Sequence, residues 1–107
     1  MTDKLVILST CASEAEAETL ARALVESRAA ACVNVLPAIR SFYRWQGKLE
    51  SSAECLLVIK SSRARFPDVR AVIEHTHSYE VPEIIALPIE DGARPYLAWM
   101  DENLGNA

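Results

Sequence analysis

The stretch ACVNVLPAIRSFYRW, residues 31–45, decides the fold that this sequence predicts. Its β-branched and aromatic residues are typical of an extended strand. Pro37 interrupts the stretch, and because proline cannot donate to a strand ladder, we expect a bulge or bend there. Gln46-Gly47-Lys48 is predicted to be a hairpin turn, followed by a return strand from about Ser52 to Ser62. The sequence therefore predicts a long β-hairpin.

On the N-terminal side of this hairpin, the sequence predicts a strand and a helix. KLVILS, residues 4–9, is apolar on both faces, which is typical of a central strand. Ser13 can cap the next helix while Glu16 reaches back to it, as in a capping box. Apolar residues then recur at helical spacing and define one buried stripe. The helix is expected to end near Arg28, whose charge suits a helix C-terminus.

On the C-terminal side, two helices flank one more strand. Pro67 fits the first turn of a helix that runs to about His75. EIIALPI, residues 83–89, predicts the fourth strand, and residues 94–103 predict a short final helix. The resulting order is that of the ferredoxin-like, split βαβ fold of the α+β class, βαββαβ with a C-terminal helix. The chain has neither a linker nor a repeat, so we expect one domain over residues 1–107.

The hairpin is too long for a small four-stranded sheet. At ~3.3 Å per residue, its first strand spans on the order of 45 Å if extended. Its far end carries Phe42, Tyr43 and Trp45, and an unpaired aromatic ribbon is an aggregation hazard in a monomer. Two helices also cover only one face of the sheet, although several strands are apolar on both faces. These features predict a homo-oligomer with strands paired across subunits; an ordinary monomer core is the alternative for the aromatic residues.

The composition argues against several classes of function. Fifteen acidic and eleven basic residues give a net charge of -4, which argues against a nucleic-acid-binding surface. No apolar run approaches the ~18 residues of a membrane helix, and residues 1–10 lack the pattern of a signal peptide, so a cytoplasmic location is expected. Cys11, Cys32 and Cys55 form no C-x-x-C pair, and we expect buried or partly buried thiols.

Four segments of the chain are distinctive in their order and spacing. They are AAACVNVLP at residues 29–37, SFYRWQGKLE at 41–50, HSYEVPEI at 77–84 and YLAWM at 96–100. Together they resemble the CutA family of small divalent-cation tolerance proteins. The resemblance implies a ferredoxin-like fold and a compact homotrimer similar to the PII signalling proteins, in which the long hairpins pair with neighbouring subunits. It also implies a link to copper and divalent-metal tolerance, with copper binding in some members and no settled biochemical activity.

The resemblance also points to candidate metal ligands. Copper ligands proposed in the CutA family are a cysteine near the end of the first strand and two adjacent histidines before a tyrosine. The corresponding residues here are Ser9, Thr76 and His77, so only His77 matches. Cys11 and His75 lie nearby in the sequence and are possible substitutes, since thiolate and imidazole suit copper and zinc. We expect weak capture of copper or another divalent cation centred on His77, with no cofactor required.

Residues 75–88, which contain both histidines, also have a purely structural explanation. His75 can end a helix, where an imidazolium interacts favourably with the helix dipole. His77 can be a loop residue hydrogen-bonded to a carboxylate or a carbonyl. Pro82 prevents the chain from becoming helical and pushes Val81 into an extended conformation. The pattern favours this structural or subunit-contact role over a catalytic one.

The sequence does not predict an enzyme. A histidine with paired carboxylates can perform acid–base chemistry, but nothing identifies a nucleophile held by a base, and there is no glycine-rich phosphate loop. Acylphosphatases share this topology, but their arginine-bearing phosphate cradle has no equivalent in this sequence. RNA-binding domains of similar topology display aromatic residues on an exposed sheet, and that strand motif is absent as well. We therefore expect a non-catalytic protein with no nucleic-acid or membrane partner.

The second functional hypothesis is a PII-like trimeric sensor or adaptor. Clefts between subunits are natural binding places for small ligands. The residues expected to line such a cleft or interface are Trp45, Lys60, Tyr79, Glu80 and Glu83. This hypothesis predicts an anionic or small polar ligand, whose binding raises the thermal stability of the protein.

Overall fold

The computed structural model describes residues 2–105, which form a four-stranded antiparallel sheet and three helices. The elements are β1 (Lys4–Cys11), α1 (Glu14–Glu26), β2 (Cys32–Trp45), β3 (Lys48–Ser62), α2 (Phe66–Thr76), β4 (Ile85–Pro88) and α3 (Arg94–Asn103). The strand order in the sheet is β2-β3-β1-β4. This is the ferredoxin-like arrangement with a C-terminal helix, so the predicted α+β fold is confirmed.

β1 lies between β3 and β4 in the sheet. It pairs with β3 along its whole length, from Lys4 opposite Ser62 to Cys11 opposite Cys55. β4 is shorter and pairs only with residues 5–8 of β1. The second half of β1 therefore lies beyond the end of β4.

The predicted bounds of the fourth strand were wrong at both ends. β4 covers residues 85–88 and not 83–89. Pro82 precedes the strand and Pro88 ends it, and proline lacks the backbone N–H that a strand ladder requires. Beyond the residues that pair with β4, the carbonyl of Thr10 is hydrogen-bonded to the ring of His77 at 2.6 Å. A side chain, rather than a further strand residue, thus satisfies this carbonyl.

The core lies between the sheet and the two helices α1 and α2. Burial of apolar surface is its main stabilising contribution, at about 25 cal/mol per Å². Cys11 and Cys55 are buried in the same cluster and Cys32 is partly buried, as the sequence predicts. The largest fully buried apolar side chains are Ile7, Leu20, Leu24, Leu57, Ile59, Val69, Ile73 and Met100.

The N-terminus of α1 is capped in the predicted manner. The Ser13 hydroxyl accepts a hydrogen bond from the Glu16 N–H at 3.1 Å. The Glu16 carboxylate in turn accepts one from the Ala12 N–H at 3.2 Å. The helix ends at Glu26, two residues before the predicted position, because Arg28 already takes up a left-handed conformation with a φ of 63°.

β2 and β3 form a hairpin with strands of 14 and 15 residues. Gln46 and Gly47 form its turn with φ values of 51° and 80°, as in a type I′ turn. The predicted irregularity at Pro37 is confirmed, since the register of the two strands shifts between Leu36 and Ile39. The turn and the bulge together set which residues of β3 lie opposite the aromatic residues of β2.

The tip of the hairpin projects from the core. β3 begins at Lys48 rather than at the predicted Ser52, so the ladder continues to Trp45 at the end of β2. The exposed fraction is 66% for Phe42 and 74% for Leu49. The described chain is correspondingly elongated, with extents of 44 × 25 × 22 Å.

Further large apolar side chains are exposed outside the hairpin tip. They lie on β4, on α3 and on the part of β2 next to the bulge, and they include Ile85, Leu87, Tyr96, Trp99, Val35 and Leu36. Tyr96 and Trp99 contact each other, with ring centroids 5.5 Å apart. Among the described residues, no helix is long and apolar enough to cross a membrane.

The two described chain ends lie at the end of the sheet where β1 begins. The Thr2 N–H donates to the carbonyl one residue beyond β4, at 3.2 Å, and the Gly105 N–H donates to the Arg28 carbonyl at 2.9 Å. The buried ammonium of Lys4 contacts the Asp101 carboxylate at 2.7 Å and joins β1 to α3. The turn between β2 and β3 lies at the opposite end of the hairpin from these two chain ends.

Candidate functional site

A cleft of about 730 Å³ lies between the hairpin and the segment that joins α2 to β4. We call the latter the 77–84 segment. The volume is in the range of about 300–1,000 Å³ that small-molecule sites occupy. The cleft is lined by Thr10, Ser41, Phe42, Tyr43, Trp45, Glu50, Glu54, Ser78, Tyr79, Glu80, Val81 and Glu83.

His77 fixes the start of the 77–84 segment. Its Nδ1 accepts a hydrogen bond from the Tyr79 N–H at 2.9 Å, and its Nε2 lies 2.6 Å from the carbonyl oxygen of Thr10. Because Nδ1 is the acceptor, the ring carries its proton on Nε2, which donates to Thr10. The side chain has an exposed fraction of 0%. Both ring nitrogens therefore hold the segment against β1.

Glu16 ties the same segment to α1. Its Oε2 accepts a hydrogen bond from the Ser78 N–H at 2.7 Å and lies 3.8 Å from Nδ1 of His77. Burial raises the pKa of Glu16, but the hydrogen bonds from Ser78 and Ala12 outweigh burial, and the resulting pKa is lowered from its ordinary value. The capping residue that the sequence predicts thus also anchors a backbone N–H 62 residues away.

The geometry of His77 does not fit a metal ligand. A metal ion needs an imidazole nitrogen with an available lone pair, but Nε2 carries a proton and the Nδ1 lone pair accepts from Tyr79. The ring is also buried. Coordination at His77 would therefore break a hydrogen bond that orders the 77–84 segment.

The two substitute ligands do not complete a site around His77. Cys11 is fully buried, and burial followed by the charge of Glu16 raises the pKa of its thiol to about 11, which disfavours the thiolate that binds metals. His75 is exposed in the last turn of α2. Within residues 2–105, no three His, Cys, Asp or Glu side chains are grouped so that they could hold a metal ion.

Tyr79 and Glu54 join the two sides of the cleft. The Tyr79 hydroxyl donates to Oε2 of Glu54 at 2.7 Å. Burial, followed by the hydrogen bond to Glu54 and its charge, raises the pKa of Tyr79, so the phenol remains a donor. The exposed fraction of Glu54 is only 7%. In the described part of the chain, this buried carboxylate makes no ion pair with a lysine or an arginine.

Several residues predicted from the sequence come together in this cleft. The predicted residues that line it are Trp45, Tyr79, Glu80 and Glu83. Sequence reasoning missed Glu50 and Glu54. The position of Glu50 could have been predicted from the hairpin register, because counting from the turn places Glu50 opposite Tyr43.

Lys60 lies elsewhere. It is opposite Cys32 on β3, and its ammonium is hydrogen-bonded to the side-chain oxygen of Asn34. Trp45 is opposite Lys48, which is twelve residues from Lys60 along the same strand. At ~3.3 Å per residue, this separation is about 40 Å. One subunit therefore cannot bring Trp45 and Lys60 into one cleft.

The cleft is acidic. Four glutamates line it, namely Glu50, Glu54, Glu80 and Glu83, and no lysine, arginine or histidine of residues 2–105 does so. Like charges repel, so the anionic ligand that the sequence suggested does not fit this lining. A small polar ligand is compatible with this lining, and a cationic ligand would be attracted by the four glutamates.

Comparison with known proteins supplies the family. The family model described as "CutA1 divalent ion tolerance protein" matches residues 5–103 of the chain. The chain belongs to the CutA1 family. The resemblance inferred from the four sequence segments is thereby confirmed.

CutA1 relatives match nearly the whole chain. The divalent-cation tolerance protein CutA of Thermus thermophilus is 49% identical over 100 residues, which cover 94% of this chain and 97% of that relative. Protein CutA of Mus musculus is 46% identical over 93 residues, which cover 87% of this chain and 52% of that relative. The chain thus spans about half the length of the mouse protein.

Solved CutA structures share the fold. The Cut A1 structure from Thermus thermophilus has a TM-score of 0.93 at 48% identity and covers 95% of this chain and 99% of that one. CutA from Xylella fastidiosa has a TM-score of 0.95 at 38% identity and covers 97% of this chain and 100% of that one. The α+β fold of the CutA1 family is therefore the fold of this chain.

The names of CutA relatives place them in different compartments. The Archaeoglobus fulgidus structure is described as a periplasmic divalent cation tolerance protein. The Arabidopsis thaliana relative is called chloroplastic. The cytoplasmic location of the present chain accordingly stays a prediction.

Proposed function

We propose that this chain acts as a homotrimeric, non-catalytic divalent-cation tolerance protein of the cytoplasm that binds a small ligand in the cleft beside the hairpin. The tolerance role is supported by membership of the CutA1 family and by the names of its relatives. The ligand-binding role is supported by the cleft itself, which combines a molecule-sized volume with polar and aromatic walls.

The observation that carries the proposed assembly is the exposed hairpin. β2 is an edge strand of 14 residues, and a long, apolar edge strand invites pairing with another chain. Phe42, Tyr43 and Trp45 on this strand are all exposed. Aromatic side chains are enriched at the centres of protein interfaces. Pairing with a second copy would shield both the edge and these rings.

A PII-like trimer is the arrangement that we propose for these copies. In such an assembly the hairpin of one subunit would lie against its neighbour, and the cleft would lie at the boundary between subunits. The apolar side chains exposed on β4 and α3 would supply further contact surface. This arrangement would make ligand binding and subunit contact depend on the same aromatic residues.

The absence of catalysis is also a proposal. His77 uses both ring nitrogens for backbone contacts, and the Glu16 carboxylate accepts two backbone N–H groups. Groups that are committed in this way hold structure and do not transfer protons to a substrate. The cleft geometry supports binding rather than chemistry.

Direct metal binding is proposed to be weak and to involve no resident cofactor. Titration of the protein with copper(II) and zinc(II) tests this, with His77→Ala as the variant and circular dichroism as the check that the variant is folded. We expect weak binding that is equal in both proteins. Tight copper binding that disappears in folded His77→Ala would contradict the proposal and identify His77 as a ligand.

Sedimentation equilibrium tests the assembly. At micromolar concentration we expect a mass three times the 11.8 kDa of one chain. A monomeric mass would contradict the proposed function at its first step, because neither an intersubunit cleft nor a shielded hairpin would then exist.

A further inference from the structure

We propose that Cys11 and Cys55 form a redox-active pair, which a low-molecular-weight disulfide oxidises to a cross-strand disulfide that fastens the end of β1 to β3. The pair needs neither a neighbouring subunit nor a ligand in the cleft, so it goes beyond the proposed function. Three observations carry it: the register of the two strands, the burial of both thiols under the helices, and the contacts of the residues beside them.

The register of the sheet places the two cysteines directly opposite each other. Cys11 is the last residue of β1, and its partner on β3 is Cys55. Directly opposite residues of antiparallel strands have Cα atoms about 4.5 or 5.5 Å apart and project their side chains to the same face. A disulfide spans Cα distances of about 4.4–6.8 Å. The backbone therefore already meets the distance requirement for a disulfide.

Both thiols lie on the face of the sheet that α1 and α2 cover. The exposed fraction is 0% for Cys11 and 3% for Cys55, and both belong to the core cluster. Burial, then the charge of Glu16 and then that of Cys55 raise the pKa of Cys11 to about 11, so the two sulfurs are close enough to interact. Because this face is packed within one subunit, pairing of the hairpin with a neighbouring copy leaves the two thiols together.

Cys32, the third thiol, is too distant to join the pair. It lies on β2 opposite Lys60, which is about five residues from Cys55 along β3. At ~3.3 Å per residue, this separation is about 16 Å, well beyond the reach of a disulfide. Cys32 is therefore an internal control for any oxidation of the chain.

The position of the pair at the end of β1 provides a route for oxidation. Cys11 and Cys55 are the outermost pair of the β1–β3 ladder, and local opening costs less free energy than global unfolding. An opened thiol regains its ordinary pKa of about 8.5 and is partly ionised at pH 8. We therefore expect slow oxidation that proceeds through opening of this end of the sheet.

The oxidation is a pair of thiol–disulfide exchanges. One cysteine thiolate attacks the small disulfide, whose S–S bond breaks, and one small thiol leaves with the proton that the cysteine has lost. The second cysteine thiolate attacks the protein sulfur of this mixed disulfide and releases the second small thiol, which takes up the second proton. Two protein thiols are thus oxidised, and one small disulfide is reduced to two thiols.

The disulfide would fasten the strands beside the two anchors of the 77–84 segment. The carbonyl of Thr10, next to Cys11, is hydrogen-bonded to the histidine ring of the segment. The carboxylate of Glu54, next to Cys55, accepts a hydrogen bond from the tyrosine hydroxyl of the segment. A link between the two cysteines would hold both anchors in place, so the redox state would control how readily the segment opens.

Incubation of the full chain with oxidised glutathione at pH 8, followed by alkylation in denaturant, tests for the link. Trypsin cleaves after lysine and arginine and leaves the three cysteines in separate peptides, residues 5–22, 29–40 and 49–60. We expect mass spectrometry to show the first and third peptides joined in at least about half of the chains. Dithiothreitol should separate them again, and the link should not include the second peptide.

Thermal denaturation and variants assign the link to the pair. The oxidised wild type should unfold at least about 5 °C above its reduced form, because the disulfide closes a loop of about 45 residues. Cys11→Ala and Cys55→Ala should show no such difference, and Cys32→Ser, the matched control, should keep all of it. Each protein is compared with its own reduced form, so any stability that a substitution costs does not enter the comparison.

Hydrogen exchange tests the effect on the 77–84 segment. The Ser78 N–H donates to the Glu16 carboxylate and the Tyr79 N–H donates to the His77 ring. Exchange of these two N–H groups should slow at least about threefold in the oxidised wild type, and it should be the same in oxidised and reduced Cys11→Ala.

The outcomes are separate from those of the proposed function. Thiols of Cys11 and Cys55 that stay free after oxidation overturn the inference, because the pair would then be only part of the core. A link through Cys32, or a link that leaves the unfolding temperature or the exchange at Ser78 and Tyr79 unchanged, overturns it as well. None of these results depends on the mass of the assembly, which sedimentation equilibrium measures on the reduced protein.

Discussion

The two halves of β3 differ sharply although they belong to one continuous strand. Leu57 and Ile59 in its second half are fully buried under the helices, whereas Leu49 in its first half is one of the most exposed apolar residues of the chain. The buried half pairs with both β1 and β2, and the exposed half pairs with β2 alone. The buried half of the strand thus contributes most to folding stability, whereas the exposed half offers the surface that a ligand or another chain could contact.

The largest effect is expected from a truncation in the buried half. Leu57→Ala leaves a cavity in the core and should lower the free energy of unfolding by about 2–5 kcal/mol. Urea denaturation followed by circular dichroism at fixed protein concentration measures it. Leu49→Ala, the same change in the exposed half, should cost less than about 1 kcal/mol. Equal losses in the two variants would break the contrast between the two halves.

The next effect concerns the hairpin tip as a contact surface. Trp45→Glu places a charge among exposed aromatic residues and should weaken subunit association by about 2 kcal/mol or more. Sedimentation equilibrium should then show dissociation at micromolar concentration, with a far-ultraviolet circular dichroism spectrum like that of wild type. Val25→Glu, which places the same charge on the exposed side of α1, is the control. A trimeric Trp45→Glu protein would show that the tip is not an interface.

Glu16, which ties α1 to the 77–84 segment, provides a smaller, pH-dependent test. Its pKa is lowered on folding from an ordinary value of 4.5. Its contribution is therefore present above pH 4.5 and is lost as the pH falls through the lower folded-state pKa. Glu16→Gln should reduce the free energy of unfolding by about 1–2 kcal/mol at pH 7.

The difference between Glu16→Gln and wild type should shrink in urea denaturation as the pH is lowered below 4.5. Glu18→Gln is the matched control, because Glu18 lies on the same helix and makes only an exposed ion pair with Arg22. Its effect should stay below about 0.5 kcal/mol. A Glu16→Gln difference that does not depend on pH would contradict the role of the charged carboxylate.

The smallest effect is expected at the hairpin turn. Gln46 has a φ of 51° and is followed by Gly47 in a type I′ turn, a geometry in which Asn-Gly is strongly preferred. Gln46→Asn should raise the free energy of unfolding by about 0.5 kcal/mol. Thermal denaturation measures the change, with Glu50→Asn as a control on the paired part of β3. A destabilised Gln46→Asn protein would contradict the assigned turn.

Local patterns predicted much of the fold because the interactions that form it are local. Ser13 and Glu16 are three residues apart, and their capping contacts follow from helix geometry. Gln46 and Gly47 define the turn in the same way, and Pro37 marks the bulge because it cannot donate a hydrogen bond. The start of β4 was harder to predict, because the Thr10 carbonyl beyond it is hydrogen-bonded to the distant His77 ring and not to a further strand residue.

The candidate cleft was predicted only in part because its contacts are distant in sequence. Glu54 meets Tyr79 across 25 residues, and Glu16 meets Ser78 across 62. No local pattern reports such pairs. Within one subunit the length of the hairpin separates Lys60 from Trp45, so the place of Lys60 in an intersubunit cleft stays a prediction. Counting residues along the ladder gives this separation and also places Glu50 opposite Tyr43 in the cleft wall.

The positions of the two chain ends have a practical consequence for handling the protein. Thr2 and Gly105 lie near the beginning of β1, whereas the cleft lies beside Thr10 near its other end. The eight residues of β1 place about 25 Å between them. A dye, a tag or a surface tether attached at either end would leave the mouth of the cleft open. Sensor-chip measurements of ligand binding should therefore tether the chain through its ends, whereas a tether near Trp45 would obstruct the cleft.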